Sequence, residues 1–117
     1  MTDDGTKYDE GKVKWSLLPY AQLELVARVF EHGAEKYGQD NWKGGMRYQR
    51  LWDATMRHMT AFKMGEDYDQ SGHHHLAHAI TSLLMLLNYH CERRGIDDRI
   101  KSEEKGVAAV GERGSRD

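Results

Sequence analysis

Two glutamates and a run of histidines are the residues of this chain whose types and spacing lend themselves to chemistry. Glu31 and Glu35 stand four apart, so on a helix they stack on one face, a turn from each other. Like charges in that register repel, and a divalent cation, which prefers carboxylate oxygen, would relieve the repulsion. An ordinary solvated helix face with Arg28 as the neutralising neighbour meets the same pattern. His73, His74, His75 and His78 come next, four of the seven histidines in a short run. His74 and His78 are i, i+4, and His75 and His78 are i, i+3. Either spacing aims two imidazoles at one point, and imidazole is a common metal ligand. The plainer alternative is a set of half-buried, hydrogen-bonded histidines near a helix start. Asp67 and Asp69 precede the run and add carboxylates. There is no H-E-x-x-H, and the single cysteine, Cys91, lies well beyond. A hydrolytic Mg2+ or Mn2+ site therefore fits better than zinc.

A third group of residues lies in the loop KYGQDNWKGG, residues 36–45. There Trp42 can stack on a base, Asn41 can read a base edge or a sugar hydroxyl, and Lys43 can pair with phosphate. A Trp folded back onto the core is the simpler alternative. Upstream, Lys7, Lys12 and Lys14 interleave with Tyr8 and Trp15, as an arm closing over phosphates or as a solubilising lead-in. Arg50 and Arg57 are open to the same two readings. No Walker loop or Rossmann glycine pattern occurs. Cys91, late in an apolar stretch, reads as a core cysteine.

The elements that must position these residues are helical. A single proline leaves long stretches free for helices. A first helix is expected from about Ser16 or Pro19 to Tyr37, stopping at Gly38. A second runs from about Tyr48 to Met64, stopping at Gly65, and a third from about His73 to Arg94, stopping at Gly95. The second puts Tyr48, Leu51, Trp52, Thr55, His58, Met59 and Phe62 on one side. The third is apolar over most of its circumference, apart from a strip of His74, His75, His78 and Ser82, so it belongs at the centre of a bundle. The domain plan is an N-terminal arm over residues 1–15, a helical catalytic domain over 16–95 and a flexible tail over 96–117. The fold class is all-α, with three main helices per chain completed by oligomerisation.

Composition narrows the field further. The 117 residues suffice for one domain. Leu, Ile, Val and Phe make up less than a fifth of them, so the core is thin, and such chains often complete it by self-association. No apolar run is long enough for a membrane span. The charged N-terminus MTDDGTKYDEGK is unlike a signal peptide. One cysteine suits a reducing cytoplasm, and a net charge of −2 offers no footprint for nucleic acid.

In order along residues 7–90, the segments KYDEGKVKWSLLP, EHGAEKYGQDNWKGG and DATMRHMTAFKMGEDYDQSGHHHLAHAITSLLML resemble the small phage and bacterial dATP/dGTP diphosphohydrolases. These are MazG-like members of the all-α NTP pyrophosphatase superfamily, including the phage MazZ type. In that superfamily paired glutamates on one helix, and E-x-x-D before an apolar run on a later one, hold Mg2+ or Mn2+. Glu31 and Glu35 stand at the first place. At the second this chain has His75-Leu-Ala-His78, with Asp67 able to supply the missing carboxylate. The resemblance implies hydrolysis between the α and β phosphates of a purine deoxynucleoside triphosphate, giving monophosphate and pyrophosphate. Glu31 and Glu35 would be catalytic, and Glu31, Glu35, Asp67, His75 and His78 would bind the metal. Lys12, Lys14, Asn41, Trp42 and Lys43 would contact substrate. It also implies a homo-oligomer, a dimer or tetramer, and in the MazZ type a supply of dGMP for a 2-aminoadenine genome. Two other readings compete: another metal phosphohydrolase, and a non-enzymatic helical interaction module.

Overall fold

The computed structural model describes Tyr8 and residues 10–100. Lys7 of the expected arm and residues 101–117 of the expected tail lie outside the described residues. Three α-helices are present, α1 (Tyr20–Tyr37), α2 (Tyr48–Lys63) and α3 (His75–Glu92), with short 3-10 turns at Trp15–Leu17 and Asn41–Gly44. Among the described residues there is no sheet, only two isolated bridges. The all-α expectation holds.

Each helix boundary has a local cause. Before α1, the Pro19 carbonyl accepts from the N–H groups of Gln22 and Leu23, so the proline sits just ahead of the helix it was expected to open. α3 starts two residues later than expected. His74 stays extended at φ −65° and ψ 136°, and its Nδ1 accepts the Leu76 N–H at 3.0 Å. A side-chain acceptor at that place satisfies a helix-start donor that lacks a carbonyl partner. At the other end Arg93 turns left-handed and closes α3 at Glu92.

α3 is the shared partner, packed on both α1 and α2. Val26, Val29 and Phe30 of α1 meet Ala77. Tyr48 and Leu51 of α2 meet Tyr89, with Trp42, Met46, Met85 and Leu86 around them. Cys91 is exposed, against the expectation of a core cysteine. Tyr89 is the fully buried residue at this end of α3, and two residues further on is about 200° around the helix, so Cys91 points away. The outer side of α3, with Leu76, Ile80, Leu83, Leu84 and Leu87, stays exposed. Trp52, Met56, Met59 and Phe62 of α2 do the same.

Residues 96–98, read from composition as the start of the tail, cap α2. The Ile96 carbonyl accepts from the Tyr48 N–H at 2.9 Å, the Ile96 N–H donates to the Met46 carbonyl at 3.2 Å, and Asp98 Oδ1 accepts from the Gln49 N–H at 3.0 Å. A carboxylate on the first-turn donors also complements the positive end of the helix dipole.

Candidate functional site

The loop over residues 66–72 folds back against the start of α3. Asp69 Oδ1 accepts the Ser71 N–H at 2.9 Å and also meets the Ser71 hydroxyl, the local ring that Asp favours in turns. The Asp69 N–H donates to the His73 carbonyl at 3.0 Å, and the Asp67 carbonyl accepts the His75 N–H at 2.9 Å. Asp67 thus helps close the loop through its backbone. Asp69 directs its other oxygen inward, 3.0 Å from His78 Nε2. His58, reaching across from α2, lies flat against His78 with ring centroids 4.4 Å apart and planes 6° from parallel. Ligand atoms of His58, Asp69 and His78 all lie within 4.8 Å of one another.

The electrostatics suit a cation. Burial lowers the His58 pKa, and the neighbouring His78 and His75 lower it further. Burial lowers the His78 pKa too, in spite of Asp69 beside it. Partial burial works to raise the Asp69 pKa, but the hydrogen bonds from Ser71 and the two imidazoles outweigh it and hold the carboxyl below the usual range. Two neutral imidazoles and an ionised carboxylate are the protonation states a divalent ion requires. Nitrogen and oxygen donors mixed in this way suit Mn2+ better than Mg2+, which favours an all-oxygen shell.

The cluster opens onto a cleft of about 890 Å³ between α1, the 36–45 loop and α3, lined by Glu31, Asn41, Trp42, Asp69 and His78, with Lys36, Arg50 and Ser71. That volume falls in the range of small-molecule sites, roughly 300–1,000 Å³. Trp42 is half-buried, edge-on to Phe30 at 5.7 Å and stacked with Tyr89 at 6.2 Å, so it serves the core and lines the cleft at once. Glu31 also pairs with Arg28 at 3.0 Å.

Of the site residues expected from sequence, the cleft therefore brings together Glu31, Asn41, Trp42 and His78. Glu35, Lys12, Lys14, Lys43, Asp67 and His75 are not in its lining. Lys43 pairs with Asp40 at 3.2 Å, and His75 is buried, bonded to His58 and Glu66. His58 was not among the residues expected at the site, and Asp69 was expected only as a carboxylate near the histidine run, with Asp67 preferred as the ligand. A signal for His58 existed, an ionisable residue inside the otherwise apolar or small side of α2. For Asp69, nothing in the pattern separates it from Asp67.

Known proteins match this chain over most of its length. A family model described as "dATP/dGTP diphosphohydrolase, N-terminal" matches residues 2–99. A dATP/dGTP diphosphohydrolase of Salmonella phage PMBT28 is 40% identical over 96 residues, covering 81% of this chain and 33% of the relative. The chain thus spans about a third of that relative's length. No solved structure matches the chain. Among the described residues no helix is long and apolar enough to cross a membrane. With a family match across all of its helices and this level of identity, the chain belongs to the dATP/dGTP diphosphohydrolase N-terminal family.

Proposed function

We propose that the chain carries a metal-dependent pyrophosphohydrolase site that converts dGTP or dATP to the monophosphate and pyrophosphate. The observation that carries this reading is the cleft in which Asp69 and His78, with His58 stacked on His78 behind them, share a lining with Glu31, Asn41 and Trp42. The ion that these donors fit, Mn2+ by preference, would supply charge neutralisation of the triphosphate and activation of water. Glu31 accepts the proton of the attacking water at its carboxylate. Lys36 and Arg50 hold the departing pyrophosphate by charge-assisted hydrogen bonds. Asn41 and Trp42 hold the nucleoside, and an indole favours the larger stacking surface of a purine. Glu35 remains a carboxylate for metal on the resemblance alone, and Lys12, Lys14 and Lys43 remain phosphate contacts on their charge and their place in the arm and the loop. The dGMP formed would supply a 2-aminoadenine genome in the cytoplasm of a phage host, as the MazZ type does.

A second reading is favoured by the same cluster. Two histidines and an aspartate also suit other metal phosphohydrolases, which release triphosphate or orthophosphate. Incubation with each of the four dNTPs and Mg2+ or Mn2+, followed by chromatography, separates the two. The expected products are dGMP and dAMP with pyrophosphate, formed faster than the pyrimidine monophosphates. Glu31→Gln should remove most of this turnover, because it preserves size and removes the proton acceptor. Release of triphosphate would turn the assignment to the second reading, and no metal-dependent turnover at all would leave a helical interaction module.

The outer apolar faces of α2 and α3 support a homo-oligomer. Trp52, Met56, Met59 and Phe62 are exposed on a helix packed against one that also exposes Ile80, Leu83, Leu84 and Leu87, and large apolar side chains gathered on one side of a protein mark an interaction face. A second copy of the same two helices would cover it by closed symmetry. Light scattering at micromolar concentration is expected to give a dimer or tetramer mass, and a mass near the 13.5 kDa of one chain would contradict the assignment.

A further inference from the structure

His75 is the histidine of the cluster for which the cleft leaves no direct task. It is buried, 5% exposed, yet both of its ring nitrogens are engaged. Nε2 lies 3.0 Å from Glu66 Oε2, and Nδ1 lies 2.9 Å from Nδ1 of His58. A line of hydrogen bonds thus runs from an exposed carboxylate, through a buried imidazole, to one of the three residues grouped around the metal position.

The direction of this line follows from what each group can donate. An ionised carboxylate only accepts, so the proton between Glu66 and His75 sits on His75 Nε2. With that one ring proton on His75, its Nδ1 is a bare lone pair. Two ring nitrogens in contact need one donor and one acceptor, so His58 must donate from its own Nδ1–H. That places the remaining lone pair of His58 on Nε2. Reversal would set a lone pair against a carboxylate, next to a buried ring, where an unpaired polar atom is costly.

We propose that Glu66 and His75 are positioning residues: they hold His58 in the tautomer protonated at Nδ1 and so present its Nε2 lone pair to a divalent ion shared with Asp69 and His78. This rests on the metal reading above. A ligand imidazole whose far nitrogen donates to a fixed acceptor is set in orientation and made more basic, and loss of such a partner typically lowers metal affinity about 10–100-fold. It also gives buried His75 and exposed Glu66 a common role that neither has in the cleft.

The test has two parts, both on the full chain without nucleotide. Long-range nitrogen–proton NMR of the imidazoles in metal-free protein at neutral pH reads the tautomers directly. The expected spectrum has His58 protonated at Nδ1 and His75 at Nε2, and a proton on His58 Nε2 overturns the proposal. Mn2+ binding is then followed by electron paramagnetic resonance in two variants. His75→Leu removes the acceptor and is expected to weaken binding roughly 10–100-fold. His75→Asn puts an amide oxygen where Nδ1 stood, imposes the same tautomer on His58, and should recover most of the affinity. Unchanged binding in His75→Leu overturns the proposal. So does failure of His75→Asn, in a protein that still melts cooperatively, to recover the affinity, since His75 would then be only packing. If the unaltered protein takes up no Mn2+ while the tautomers are as expected, the metal reading is what has failed, and the presentation of His58 to an ion falls with it.

Discussion

Replacement of His78 by alanine is expected to weaken Mn2+ binding by about 10–100-fold or more, the scale on which metal-shell interactions are lost, and to remove most of the turnover. His78 is the hub of the cluster. Its Nε2 lies 3.0 Å from Asp69 Oδ2 and 3.3 Å from the Ser71 hydroxyl, while its ring is stacked on His58 and edge-on to His73. On the metal reading proposed above, removing the imidazole takes away one ligand and frees the ring plane of another. It also leaves Asp69 turned inward with only Ser71 to hold it. A histidine with a purely structural role would behave differently: the melting temperature would fall while the metal dependence of activity stayed as it was. A metal titration of activity beside a melting curve on the same variant distinguishes the two, and undiminished Mn2+ affinity in His78→Ala would sink the site.

Gly95→Ala is expected to produce the largest loss of stability, with function lost only through unfolding. Gly95 has φ +75°, and a Cβ added there would run into the Met46 carbonyl oxygen and stand 3.0 Å from Tyr89 Cδ2. Across the contact, a Cβ on Gly45, itself at φ +97°, would stand 2.8 Å from the Gly95 nitrogen. The two glycines let the chain after α3 lie backbone to backbone against the start of α2, where Ile96 and Asp98 cap that helix. The left-handed conformation costs an L-residue about 1–2 kcal/mol, and overpacking against backbone adds roughly 1–3 kcal/mol. Against a typical domain stability of about 5–15 kcal/mol, the melting temperature should drop by roughly 10 °C or more. Gly65→Ala is the control. Its φ is also positive, +103°, but nothing lies within 4 Å of the added Cβ, so only the smaller conformational cost applies. Equal shifts in the two variants would remove the close-approach argument.

The helices and their ends were legible because their causes are local. The glycines at 38, 65 and 95 all have positive φ and stand where each helix was expected to stop. The periodicity of α2 placed Tyr48, Leu51 and Thr55 on one side, and those three are buried. The histidine strip on α3 was legible for the same reason, since the spacing of His75 and His78 depends on nothing outside their helix. Legibility failed wherever a residue's role depends on a distant one. His58 sits among Leu51 and Thr55 on one side of α2, and only the packing of α2 on α3 lays its ring on His78. Cys91 and Tyr89 share an apolar run, yet a rotation of about 200° buries one and exposes the other, and only the placement of the neighbouring helices chooses which.

By itself the sequence determined an all-α chain, the limits of its helices to within a few residues, and a concentration of imidazole and carboxylate around the start of α3. Those follow from backbone preference and from a periodicity that each segment carries alone. The tertiary structure decided which of those groups converge. It turned Asp69 inward, while Asp67 closes the loop with its carbonyl. It brought Glu31, but not Glu35, into the cleft with His78. It also drew Asp98 onto a helix 49 residues away from it in sequence. Spacing along a chain fixes which face a side chain shares with its neighbours, but the partner across a gap is set by how helices dock and where loops close, and that is a property of the whole packed chain.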